Sequence, residues 1–288
     1  MNFRLTVSIL AHSFNSLFFL ESHDLRDILG RSMDFFVAQR SGKLPSDQSA
    51  VDWRGDSALG DGGDVQMDLV GGYYVGGDHV KWGFPMAFAT TIIAWSGISY
   101  ADSYSEMGQQ GLGDLYKQVK WATDYFIKAH PTKYEFYAQI GDPVLDHADW
   151  VRSEYMEMLR PSFAIDTENP GSEVAAETAA ALAASAILFL DSHASYAQEC
   201  LQHAIDLLEF AIMHRGTYTD AIPSASDFYR SSGYGDEIAW ASLWLYWATD
   251  DAQYLTVADD FIAEFNLDSV ENAPTGQSNK EAAAAHIF

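Results

Sequence analysis

Between Arg40 and Pro85 the chain runs through RSGKLP, WRGDSALGDGGDV, DLVGGYYVGGDH and KWGFP with almost no spacer. Seven Asp, ten Gly and two Trp fall in this stretch, a density that a mere connection does not need. Carboxylates supply acid and base groups, glycines let backbone approach a ligand, and aromatic rings supply flat apolar surface. Long ordered loops in compact domains usually carry function. A sugar is a ligand that uses all three kinds of group.

Composition narrows the partner. Sixteen Lys plus Arg stand against 41 Asp plus Glu, a formal charge of −25 at pH 7. Such a surface repels phosphate backbones and anionic lipid alike, which argues against nucleic acid and membrane. With 48% hydrophobic residues the chain is expected to be globular. Aromatic residues at 14% suit a neutral, flat partner such as a polysaccharide, although core packing can absorb most of them. The lone Cys200 lies in an apolar helical pattern and reads as a buried structural thiol.

The elements that must position this chemistry are helices. Apolar residues recur at helical spacing, as in Phe84, Phe88, Ile92 and Trp95, or Leu201, Ile205, Leu208 and Ile212. The pattern predicts helices near 24–39, 85–101, 112–129, 173–190, 195–213, 235–249 and 251–265, and no run of strict alternation predicts a strand. The class is all-α. Eight Ala in 173–190 predict a helix that its neighbours approach closely. Trp240, Trp244 and Trp247 share helical spacing and read mainly as core.

The order RSGKLP, WRGDS, DLVGG, GDHVKWGFPMAF resembles the catalytic domain of family 9 glycoside hydrolases, inverting endoglucanases. Further matches follow: WATDYFIKAHP from Trp121, QIGDPVLDHADW from Gln139, the Arg160-Pro161 pair, NPGSEVAAETAAALAASAILF from Asn169 and SSGYGDEIAWASLWLYWATDD from Ser231. The resemblance spans about 24–265. It implies an (α/α)6 barrel of twelve helices, of which about seven are present here, and a β-1,4-glucan substrate such as cellulose. It also implies secretion; Leu5 to Leu20, apolar behind Arg4 but interrupted by His12 and Asn15, resembles a signal core within a leader segment 1–23. Residues 266–288 look unlike the family and are expected to form a divergent, disordered tail.

An inverting glycosidase needs a carboxylate base and a carboxylic acid about 6.5–9.5 Å apart, with water between. The resemblance places the base at Asp78, in Val75-Gly76-Gly77-Asp78-His79, where the family motif is Asp-Ala-Gly-Asp-His; Val75 replaces an Asp that helps to hold the water. A turn-forming Asp is the plainer reading of the same residue. The family's acid Glu lies in a later segment, and neither Glu264 nor Glu281 has matching context, so impaired catalysis is expected. His147 and Trp150 match a cleft motif, with Tyr73, Tyr74, His79, Trp82 and Tyr229 as further substrate contacts. Ser232, Gly233, Asp236 and Glu237 match a structural Ca²⁺ loop, for which hard oxygen ligands are suited. The alternative is that Asp236 and Glu237 merely complement a helix N-terminus. Rival functions are a non-catalytic glucan-binding protein and a product too incomplete to fold stably.

Overall fold

The computed structural model describes residues 25–46, 51–107, 111–269, 275–276 and 280. Its helices, in chain order, are α1 (Leu25–Ala38), α2 (Gly83–Ser99), α3 (Ala101–Glu106), α4 (Leu112–Ala129), α5 (Pro143–Asp146), α6 (Ser172–Phe189), α7 (Ala194–Met213), α8 (Tyr218–Ala221), α9 (Gly235–Thr249) and α10 (Gln253–Phe265). The seven expected helices are present, each end within two residues of expectation. Two of them stop where a short polar residue takes a left-handed conformation, Asp250 after α9 (φ 56°) and Asn266 after α10 (φ 55°). Asn and Asp tolerate that region better than other side chains.

α6 is the centre of the assembly. All its residues but Ile187 are buried, and α2, α7 and α9 pack against it. Its Ala side chains allow this: a methyl group on most positions lets three backbones come close without voids. By length and apolarity α6 is also the one described helix that could cross a membrane, yet it is buried in the middle of the protein. The seven long helices form the partial (α/α)6 barrel expected for the class.

A small antiparallel sheet was not foreseen. Strands β1 (Lys81–Trp82), β2 (Phe136–Ile140) and β3 (Ser162–Ile165) lie in that order. Alternation could not reveal them, because β1 has two residues and β2 is buried on both faces. Pairing sets Lys81 opposite Ile140 and Ile140 opposite Ser162. The start of β1, the end of β2 and the start of β3 therefore meet at one sheet end. Asp78 lies just before β1, α5 just after β2 and Arg160 just before β3, so the sheet gathers three distant segments.

The outer helices are less covered. α1 fully buries only Met33 and leaves Leu25, Ile28 and Phe35 exposed. An apolar groove of about 510 Å³ runs between α1, α2 and the loop before Asp78, lined by Phe35, Phe36, Tyr73, Val75, Met86 and Ile93 among others. Residues 1–23, the expected leader, lie outside the described residues. If α6 is the close-packed centre, enlarging it must cost stability. Ala180→Leu is expected to destabilise the fold by about 1–3 kcal/mol through overpacking; a thermal melt unchanged from the parent chain would contradict this.

Candidate active site

Asp78 is held rather than free. Its Oδ1 accepts the Val80 backbone N–H (3.2 Å), its carboxylate accepts the Trp82 Nε1–H (3.2 and 3.3 Å to the two oxygens), and Oδ2 meets His147 Nε2 at 3.1 Å. Gly76 and Gly77 reach this position through left-handed backbone, φ 90° and 89°. At Gly76 a Cβ would come within 2.4 Å of the Tyr229 hydroxyl, so both backbone and space require glycine there. Partial burial pushes Asp78 above the ordinary carboxylate value; the His147 and Trp82 hydrogen bonds oppose that push and the Asp146 charge reinforces it. A raised but accessible carboxylate is suited to accepting a proton.

His147 arrives by a short route from β2. Asp142 caps α5 by accepting the Val144 and Leu145 N–H groups, and Pro143 begins the helix, so Asp-Pro dictates where it starts. Asp146 ends α5 and His147 caps it. Asp146 accepts the His79 backbone N–H at Oδ2 (3.2 Å), and its Oδ1 lies 3.4 Å from His79 Nδ1. Burial raises Asp146, but the His79 imidazole and backbone N–H beside it outweigh that push and leave the carboxyl below its usual value. The Phe228 ring stands edge-on to His147 at 5.1 Å and lies against Trp82 at 5.5 Å.

Beneath the site is a buried ionic knot. Asp61 accepts two hydrogen bonds from Arg160 (2.7 and 3.1 Å) and pairs with the Lys81 ammonium at 2.7 Å. Lys81 also donates to the Leu69 and Gly71 carbonyls, at 2.5 and 3.1 Å, and its ammonium lies 4.6 Å from the centre of the Tyr125 ring. Arg160 donates its remaining Nη1 to the His79 carbonyl at 2.7 Å. One carboxylate thus ties both ends of the loop 69–81 that carries Asp78. Burial lowers Lys81 to about 8 although Asp61 opposes the change, and the Lys81 and Arg160 charges keep Asp61 below its usual value against its own burial.

The expected contacts divide into those at the surface and those that support it. Trp150 is 84% exposed and His147 is exposed beside Asp78, so both are available to a ligand. His79 and Tyr229 are partly buried; Tyr229 packs edge-on to Trp82 at 5.1 Å, and its backbone carbonyl accepts the Tyr218 hydroxyl. Three contacts need correction. Trp82 is 1% exposed and leaves no ring face for a sugar, because its indole is the donor to Asp78. Tyr73 and Tyr74 are buried too, their hydroxyls engaged by the Gln118 carbonyl (2.9 Å) and by Ser57 Oγ (2.8 Å). All three support the loop from behind. Asp61, Lys81, Asp146 and Arg160 were missed: an Asp among glycines reads as a turn, and its Arg160 partner lies 99 positions away.

Ser232 and Gly233 lie in the loop before α9, with Asp236 and Glu237 in its first turn. Glu237 is buried, with Oε1 3.1 Å from the Lys280 ammonium and Oε2 buried without a hydrogen-bond partner. The same ammonium lies 2.8 Å from Glu177, and the Lys280 N–H donates to Asp236 at 2.7 Å. Burial lifts Glu237 well above the usual value, with Lys280 opposing.

One consequence of this geometry concerns pH. The His147 hydrogen bond lowers Asp78, so removing it lets burial raise the group further. In His147→Ala the Asp78 carboxyl is expected to titrate at higher pH than in the parent, followed by carboxyl NMR; a titration moved to lower pH would contradict the assignment.

Comparison with known proteins places this geometry. The chain matches the family described as Glycosyl hydrolase family 9 over residues 26–287. It is 48% identical over 250 residues to Endoglucanase A of Bacillus pumilus, an alignment covering 86% of this chain and 38% of that protein. The structure of an endoglucanase from the termite Nasutitermes takasagoensis superposes with a TM-score of 0.88 at 48% identity, covering 91% of this chain and 60% of that one. The cellulase Cel9M of C. cellulolyticum in complex with cellobiose gives 0.84 at 33% identity, covering 91% and 61%. The chain therefore spans between 38% and 61% of these relatives' length. The match through residue 287 also corrects the expectation that residues 266–288 share nothing with the family; buried Lys280 lies within it.

Proposed function

This chain belongs to glycosyl hydrolase family 9, and from that premise we propose that its site binds β-1,4-glucan, with Asp78 as the base of an inverting hydrolysis. The observation that carries this reading is the Asp78 carboxylate, fixed by Trp82 and His147, partly exposed and raised above the ordinary carboxylate value. Water deprotonated by Asp78 attacks the anomeric carbon opposite the leaving oxygen, while a separate acid protonates that oxygen. Trp150 offers the exposed ring on which a glucose unit stacks, and His147 hydrogen-bonds a hydroxyl. Relatives named as endoglucanases, and a neighbour crystallised with cellobiose, support the substrate class.

For the acid we assign no residue among those described. Glu264 pairs with Arg215 at 2.7 Å on α10, remote in role from the Asp78 loop, and Glu281 lies outside the described residues. Val75 lines the apolar groove, where it cannot accept a hydrogen bond from water as an Asp would. With Val75 where the family motif has an Asp, the site is proposed to bind glucan and to hydrolyse it slowly, because the attacking water has lost one of its hydrogen-bond acceptors.

Titration with cellotetraose should show weak binding that weakens further in Trp150→Ala, and reducing-sugar release should fall far below that of a full-length relative. Turnover equal to that of the relative and lost in Asp78→Asn would contradict the impairment. Absence of binding to the folded chain at millimolar ligand would contradict the substrate. Binding with no turnover at all would favour the glucan-binding reading over the enzyme.

Calcium is proposed as a structural ion at the Ser232 and Gly233 carbonyls and the Asp236 and Glu237 carboxylates. Hard oxygen donors and the buried Glu237 Oε2, which makes no hydrogen bond, suit it, and the ion would displace the Lys280 ammonium from Glu237 and the Lys280 N–H from Asp236. A chelator should then lower the melting temperature, and added Ca²⁺ should restore it; a melt indifferent to both would remove the ion from the account.

A further inference from the structure

We propose that Asp78, Asp146 and His147 form a binding site for a divalent transition ion, Zn²⁺ in particular, and that the ion occupies the same carboxylate that acts as the base. Among the described residues these are the one group of three in which carboxylate and imidazole donor atoms all lie within 4.8 Å of one another. An ion with Zn–N and Zn–O distances of about 2.0–2.2 Å sets neighbouring tetrahedral donors roughly 3.4 Å apart. His147 Nε2 and Asp78 Oδ2 already stand 3.1 Å apart, and the Asp146 carboxylate, within 4.8 Å of both, would close the remaining gap.

A second observation points to a cation. Asp146 is 95% buried, and its Oδ1 makes no close hydrogen bond, the nearest donor being His79 Nδ1 at 3.4 Å. A buried carboxylate oxygen without a close donor is the group that a cation would satisfy. Arg160 is close by but is taken up by Asp61 and the His79 carbonyl.

The donor set selects the metal class. Two carboxylates with one imidazole suit Zn²⁺ and its borderline neighbours better than Mg²⁺ or Ca²⁺, which favour oxygen alone. Three protein ligands leave the remaining position to water, and the exposed side of His147 gives the ion its entry. The His79 ring beside Asp146 is the outer group that would orient that carboxylate. A bound ion would displace the His147–Asp78 hydrogen bond and hold the Asp78 lone pairs, so it would act as a reversible block on the base. None of this requires that glucan bind.

The test is calorimetric titration of the untagged chain with ZnCl₂ in the absence of any sugar. One saturable site is expected, with affinity about ten-fold or more weaker in His147→Ala and in Asp146→Asn. His147 is exposed, so its variant should retain the parent's circular dichroism and melt, and the comparison holds even if Asp146→Asn folds poorly. His193→Ala, a change at an exposed histidine on another face, should bind as the parent does. No saturable site, undiminished affinity in His147→Ala, or equal displacement of Zn²⁺ by Mg²⁺ would each overturn the proposal.

Discussion

The Asp61 carboxylate, locked between the Lys81 ammonium and the Arg160 guanidinium, is the interaction on which the site depends. The chain around it is a long Gly-rich loop that, among the described residues, has one short 3-10 turn, Gly63–Val65, and isolated bridges to fix it. Three buried charges with bidentate geometry supply that rigidity: Lys81 collects the carbonyls of Leu69 and Gly71, and Arg160 collects that of His79. A buried pair is costly to assemble, and removing one partner leaves a stranded charge worth about 3–5 kcal/mol. The arrangement is therefore hard to deform by degrees, which is what a base with a fixed position needs.

The rest of the site follows from where that knot is tied. Lys81 begins β1 and Arg160 immediately precedes β3, so the knot also fixes the sheet end at which β2 delivers α5. Asp146 and His147 reach Asp78 because Asp142 and Pro143 start a helix immediately after the strand. Trp82 can then give its indole N–H to Asp78 from the core side while His147 gives its imidazole from the solvent side. The carboxylate itself stays partly exposed to solvent. Helix α6, too closely packed to move, is the platform for α2 and hence for β1, which runs directly into it.

The helices were legible in the sequence because burial repeats every three or four residues along them, and α6 was legible from its alanines alone. The sheet was not, since two residues make no pattern and a strand buried on both faces has no alternation to show. The site was half legible. Asp78, His79, His147 and Trp150 stand in short motifs that local reading can find. Asp61 and Arg160 have meaning only together and are separated by most of a hundred residues. Trp82 shows the opposite failure: an indole beside a carboxylate suggests a stacking surface for sugar, and only its burial reveals a hydrogen-bond donor. Lys280 was hidden for a similar reason, as a lone cation in a stretch of small polar residues whose carboxylate partners lie on α6 and α9.

The central claim is that the ionic knot, and not the helical core, holds the loop that carries Asp78. Hydrogen exchange on Asp61→Asn compared with the parent chain tests it most directly, because it reads the loop and the core in one experiment. The account predicts that amides between Leu69 and Trp82 lose protection while those of α6 keep theirs. Protection in that loop equal to the parent's, or lost only in step with α6, would contradict it.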